Sequence, residues 1–262
     1  MDYTVESVRK ALHLLFMVAD QPGLGVTELA RRSGMTKARS FRLLETMEQY
    51  GMIKRDGQAA IYCLSHRVLS LGAFASRQLK LADLSKKYLP KVGHRIDESV
   101  HVHLREGVER ICIARWNTKR SIGIHTKIGS RQLLHAGATG KLLLAFAPTS
   151  VFDDVLTEDL ERYTDRTLTR REELCAELSR IRSQGYSLSN GEVVSGTVAI
   201  AVPLIDSTGV VAALGASIPS SRATEGVVTD VLEVLRQAAD EFSVELRQTS
   251  DDEAHVSAKR VL

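Results

Sequence analysis

Cysteine is scarce in this 262-residue chain: Cys63, Cys112 and Cys175 are scattered, with no close pair. An odd, dispersed set excludes a disulfide framework and a structural zinc site, and it suits a reducing compartment. Long apolar runs are lacking too. The longest, Val198–Ile205, falls far short of the ~18 residues that a membrane span needs. The opening MDYTVESVRK has neither the apolar core nor the cleavage pattern of a secretory signal, so a cytoplasmic location without membrane contact is expected. Catalytic signatures are missing as well, with no GxSxG elbow, no HExxH pair and no P-loop. A net charge of +3 points by itself to no particular partner.

What is present is ordinary globular composition, 44% hydrophobic and 26% charged, at a length that fits two compact units. The charge is unevenly placed. Residues 1–78 carry 11 Lys and Arg against 7 Asp and Glu, and the remainder 24 against 25. The whole positive excess therefore lies in the first third, the modest footprint of a polyanion-binding module.

That third has a recognisable order. Val5, Val8, Leu12, Leu15, Phe16 and Ala19 recur at helical spacing. A short helix at Val26–Arg32, opened by Thr27, a tight Ser33-Gly34-Met35 turn and a third helix from Thr36 to Tyr50 follow. Met52–Arg55 and Ala60–Leu64 then flank Asp56-Gly57, a hairpin signal. Three short helices and a hairpin, in that order, make a winged helix-turn-helix. In the third helix Ser40, Leu43, Leu44 and Met47 share the inward face, leaving Ala38, Arg39, Phe41 and Arg42 outward. Arg39 and Arg42 match the paired acceptors of guanine in a major groove, and Phe41 a thymine methyl or the wing. Thr27, Thr36 and Lys37 at helix starts, with Lys54 and Arg55 on the wing, suit backbone phosphates. A solvated, Arg-bearing face on a protein–protein adaptor is the alternative.

Residues 67–89 continue as a mixed helical pattern interrupted by Gly72 and Pro90, read as a connecting helix and then the first helix of the second domain. Val100–Leu104, Arg110–Trp116 and Ser121–His125 read as strands, Gly137–Phe146 and Arg170–Gln184 as helices. Val193–Ile205 and Val210–Ser217 form a hairpin before a terminal helix over Val227–Leu246. Short turns between strands imply a mainly antiparallel sheet with flanking helices. Gly137-Ala138-Thr139-Gly140 opens a helix, so small residues and outward amides offer a carboxylate or phosphate site. A glycine-rich helix start without a ligand reads equally well. His125 and His135 flank this loop in sequence, and they, Arg115, Trp116 or Arg131 are candidate hydrogen-bond donors to a ligand. His101 and His103 alternate on one strand and so share a face. Without a third ligand at convincing spacing, no metal and no cofactor is assigned.

The stretch SVRKALHLLFMVADQPGLGVTELARRSGMTKARSFRLLETMEQYGMIKRDG resembles the N-terminal domain of IclR-type regulators, the isocitrate lyase regulator family. GSRQLLHAGATGK and GYSLSNGEVVSGTVAIAVPLIDSTGVVAALGASIP resemble that family's effector domain, so the likeness runs over about residues 5–245. It implies an α+β chain: a winged helix-turn-helix at 1–66, a linker helix at 67–80, a GAF-like effector-binding domain at 81–248 and a flexible tail at 249–262. It also implies a transcription regulator of a catabolic operon rather than an enzyme. Its partners would be pseudo-palindromic operator DNA, a small organic acid effector, and copies of itself in a homodimer or dimer of dimers. Matched to the family's effector positions, the chain offers Ala138 and Thr139 from the loop, then Ser189, Ala199, Gly215 and Ser217. Ala199 stands where the family often has Cys and Gly215 where it often has Ser. Both changes remove polar groups and add room, which leads to an expectation of a bulkier, more apolar effector such as an aromatic acid. The competing reading is a hydrolase or metal-dependent enzyme with an accessory winged helix.

Overall fold

The computed structural model describes residues 3–57, 59–78, 80–124, 126–157 and 159–259. The chain divides into two compact units, residues 1–79 and 80–262. Among the described residues no helix is long and apolar enough to cross a membrane.

The first unit runs α1 (Glu6–Asp20), β1 (Leu24–Gly25), α2 (Val26–Ser33), α3 (Lys37–Gln49), β2 (Ile53–Asp56), β3 (Ile61–Leu64) and α4 (His66–Gln78). Its strands form an antiparallel sheet in the order β1-β3-β2, with Ile53 opposite Leu64 and Asp56 opposite Ile61 in the wing. The core is Leu14, Val18, Leu29, Leu44, Met47, Ile53 and Tyr62. Left-handed glycines end the helices: Gly34 caps α2, and Gly51 follows α3, so that the Met52 N–H reaches back to the Met47 carbonyl.

Two sequence expectations are corrected here. The inward face of α1 is Ala11, Leu14, Leu15 and Val18, whereas Val5, Val8, Leu12 and Phe16 are exposed, Phe16 by 64%. The helix carries two apolar stripes, and periodicity alone does not say which of them meets the core. Likewise α2 begins at Val26 with Gly25 as its cap, so Thr27 lies inside the first turn and opens nothing.

The second unit runs α5 (Lys80–Ile96), β4 (Ser99–Glu106), β5 (Glu109–Trp116), β6 (Arg131–Leu133), α6 (Ala138–Ala145), α7 (Thr149–Thr157), α8 (Arg171–Gln184), β7 (Ser187–Asn190), β8 (Thr197–Asp206), β9 (Gly209–Pro219) and α9 (Glu225–Lys259). One antiparallel sheet, ordered β6-β5-β4-β9-β8-β7, carries a core on each face. Strand alternation sends Val100, Val102, Val202, Leu204 and Leu214 toward α5 and α9, where Tyr88 stacks on Phe242 at 4.8 Å. The other face carries small residues, Ala199, Ala201 and Ala213, and these let α6 and α8 lie close with Leu142, Leu174, Leu178 and Ile181.

Four stretches differ from the sequence reading. The segment 121–124 is not a strand; Ile122 is exposed and its carbonyl accepts from Arg222, and the third strand is β6 instead. Residues 192–196 form a turn through the left-handed Gly196, so β8 starts at Thr197 and not Val193. Helix α5 passes through Pro90 and ends at Ile96. The terminal helix α9 reaches Lys259, past the Leu246 end expected for it.

Candidate functional site

Two sites emerge, one in each unit. On α3, Ser40, Leu44 and Met47 are buried and Leu43 half-buried, while Thr36, Lys37, Ala38, Arg39, Phe41 and Arg42 are exposed. The Thr36 hydroxyl accepts from the Arg39 N–H at 3.3 Å, which caps the helix and leaves its own O–H to donate outward. Elsewhere in this unit four cations are tied down by acids: Arg9 and Lys10 by Glu6, and Arg31 and Arg32 by Glu28. Lys37, Arg39, Arg42, Lys54 and Arg55 have no ion-pair partner among the described residues and all are exposed. Thr27 is exposed on α2, with no part in the α3 surface established by its position. The outcome is a helix and a wing that carry uncommitted positive charge, suited to a duplex.

The second site is a cavity of about 290 Å³ between the sheet and the start of α6. Gly137, Ala138, Thr139, Ser189, Ala199 and Ser217 line it, together with residues that the sequence reading did not single out for this role, among them Arg110, Lys127, Gln132, Glu192 and Thr197 and the apolar Ile124, Val193 and Val194. His101 and His103 line it as well.

Arg110 organises the wall. Its Nη1 donates to the Ala136 carbonyl at 2.9 Å and its Nη2 to Gln132, while its Nε is buried without a partner. A Cβ on Gly140 would stand 2.8 Å from Arg110 Nη1 and 2.8 Å from the Leu134 carbonyl oxygen. Thus the glycines that were read as room for a ligand make room for a guanidinium. A buried cation held against the N-terminus of a helix meets the positive end of its dipole. Desolvation pulls Arg110 down to about 10, still charged at neutral pH.

Glu192 supplies partial compensation. It accepts the Gly137 N–H at 2.9 Å through one oxygen and Lys141 Nζ through the other. Lys141 is only 2% exposed and also donates to Glu177 and to the Leu188 carbonyl, each at 2.9 Å. The Gly137 amide, one of the outward amides expected to meet a ligand, is therefore occupied, although Gly137 still lines the cavity. The Ala138 and Thr139 amides have no hydrogen-bond partner among the described residues. With Glu192 neutralised by Lys141, no carboxylate pairs with Arg110 among the described residues, and the cavity keeps a net positive wall.

Other expected residues sit elsewhere. Trp116 occupies the opposite face of the sheet, flat on Gly93 and edge-on to His94 at 4.9 Å, so it does not reach the cavity. Strand alternation explains this: Trp116 pairs with Val100, which points to α5 and α9. His135 is fully buried, held by the Glu161 carbonyl at 2.8 Å and stacked on Tyr163, outside the cavity lining. His125 lies outside the described residues. Gly215 adds no room for a ligand either: a Cβ there would stand 2.6 Å from His101 Cε1 and 2.7 Å from Thr139 Cγ2. The imidazole of His101 fills the space. Among the described residues no group of three His, Cys, Asp or Glu could hold a metal ion.

The family model described as "Bacterial transcriptional regulator IclR C-terminal" matches residues 73–244, and "IclR helix-turn-helix domain" matches residues 7–57. A curated relative, the HTH-type transcriptional regulator KdgR of Escherichia coli K12, is 29% identical, with 93% of both chains covered. A solved IclR transcriptional regulator from Alicyclobacillus acidocaldarius superimposes with a TM-score of 0.84 at 26% identity, covering 92% of this chain and 99% of that one. An IclR homologue from Microbacterium hydrocarbonoxydans, solved in complex with 4-hydroxybenzoate, gives 0.81 at 24% identity, covering 92% and 99%.

Proposed function

Because the chain belongs to the IclR family of bacterial transcriptional regulators, we propose that it is an acid-responsive DNA switch. Helix α3 enters the major groove, where Arg39 and Arg42 contact base edges, with Phe41 beside them. Thr36, Lys37, Lys54 and Arg55 hold phosphates around it. The exposed stripe of Val5, which caps α1, and Val8, Leu12 and Phe16 on it, with Leu69 and Leu71 on α4, supports a homodimer or a dimer of dimers. Burying such side chains contributes about 1.5–3 kcal/mol each. A twofold dimer reads a pseudo-palindromic operator with half-sites about one helical turn apart.

The effector is a small organic acid seated in the Arg110 cavity, and the genes under control are those of a catabolic operon that consumes it. The observation that carries this reading is the buried Arg110 cation, set against the start of α6 without a carboxylate of its own. A carboxylate there accepts from the Ala138 and Thr139 amides and satisfies both the cation and the helix dipole. A cavity of about 290 Å³ holds roughly ten water-sized groups, the size of a small acid. The lining sets Ser, Thr and His beside the apolar Ile124, Val193 and Val194, and Gly215, filled by His101, adds no room for a bulkier effector. That leaves Ala199 as the one apolar replacement that faces the cavity.

In vitro selection from a random-sequence duplex pool tests the DNA half. Full-length protein is expected to enrich a pseudo-palindrome, whereas a double Arg39→Ala, Arg42→Ala variant enriches none. Equal enrichment by both would remove α3 from the reading.

A further inference from the structure

Within the cavity the two histidines are not equivalent. His101 is the better secured: its Nε2 lies 3.1 Å from Ser217 Oγ and its ring fills the space beside Gly215, although its Nδ1 is buried without a partner. His103 stands edge-on to it with ring centroids 4.7 Å apart, lines the cavity, and is 3% exposed. Neither ring nitrogen of His103 makes a hydrogen bond among the described residues. Its cross-strand neighbour Cys112 gives no help, since the Cys112 thiol is turned to the Ala114 carbonyl.

A neutral imidazole always presents one N–H and one lone pair. Burial, with His101 and Arg110 nearby, holds His103 well below the ordinary histidine value, so it is neutral at physiological pH and does not compete with Arg110 for a carboxylate. An unpartnered buried polar group in a native fold calls for a partner that arrives.

Resting on the acid-effector reading above, we propose that His103 is the specificity-determining residue of the cavity. It recognises a second oxygen on the effector, a hydroxyl or keto group, in addition to the carboxylate held by Arg110. Acids that lack this oxygen leave His103 desolvated and unpaired, which is the condition under which a buried polar site discriminates most strongly.

Calorimetric titration of the full-length protein with two matched series tests this: propionate, lactate and pyruvate; then benzoate, 2-hydroxybenzoate and 4-hydroxybenzoate. In at least one series the oxygen-bearing acid is expected to bind tenfold or more tighter than its parent. His103→Leu should bring that ratio to within about twofold, and His103→Gln, which keeps a donor and an acceptor, should retain part of it. Arg110→Gln should weaken every acid alike. The comparison on the unaltered protein needs no variant, so a misfolded His103→Leu leaves the test intact. Parent acids that bind as tightly as their oxygenated partners, or a preference that survives in His103→Leu, would overturn the role of His103 and leave the acid-effector reading standing. Failure of all six acids to bind would overturn both.

Discussion

Replacing Lys141 by Met removes the one side chain that joins α6 to both Glu177 and Glu192. The ammonium is almost wholly buried and gives three hydrogen bonds, to two carboxylates and the Leu188 carbonyl. Glu177 keeps Arg180 as a partner at 2.8 Å, but Glu192 is left with the Gly137 N–H alone. Breaking a buried pair by deleting one member costs about 3–5 kcal/mol, because the other charge stays desolvated. For a unit of this size each kcal/mol corresponds to roughly 2–4 °C, so the melting temperature should drop by about 6–20 °C at neutral pH. Differential scanning calorimetry reads this directly. A second substitution, Glu192→Gln, removes the stranded charge and keeps an acceptor for the Gly137 N–H, so the double variant should recover more than half of the loss. A Lys141→Met protein that melts within 2 °C of its parent, or a double variant no better than the single, would refute the claim that this triad is what braces the cavity loop.

Acid should weaken the fold through the histidines. His101 titrates at about 3 when folded, chiefly because burial disfavours its charged form, against about 6.5 when unfolded. The unfolded chain takes the proton first, so stability is complete above pH 6.5 and declines below it, by about 2 kcal/mol at pH 5 from His101 alone. Urea melts at pH 7 and pH 5 on the parent and His101→Phe check this; an unchanged pH slope in the variant would exclude His101 as the source. Gly215→Ser should push His101 away from Ser217, with about 1–3 kcal/mol lost to overpacking. A variant as stable as the parent would show that His101 can relocate freely. Removing Lys54 or Arg55 should lower the salt dependence of operator binding by about one unit of slope each, measured by anisotropy from 50 to 300 mM salt, and an unaltered slope would take the wing off the phosphate backbone.

The winged helix was legible because its signals are local. Thr36 as cap, Gly34 and Gly51 as stops and the Asp56-Gly57 hairpin act within a few residues, and the face of α3 follows from one period. Helix α1 shows the limit: two apolar stripes satisfy the same period, and only packing against Leu29, Leu44 and Tyr62 selects between them. The cavity was legible as a loop and not as a site. Ala138, Thr139, Ser189 and Ser217 were placed by resemblance, but Arg110 and Glu192 come from a strand and a turn distant in sequence; Arg110 fills the space that Gly137 and Gly140 leave, and Glu192 binds the Gly137 N–H and Lys141. Arg110 gave a faint signal as an arginine just ahead of the apolar run Ile111–Ala114. Trp116 was misplaced by a matter of parity, for one step along β5 separates the cavity face from the α5 face.

An acid in the Arg110 cavity is expected to change how tightly α3 holds DNA. Fluorescence anisotropy on the selected duplex, with and without the acid that binds tightest by calorimetry, measures it most directly. The operator dissociation constant should change 5–150-fold in the parent and by less than about twofold in Arg110→Gln. Superimposable titrations of the parent, with the cavity saturated and without the acid, would show that the cavity and α3 are not coupled.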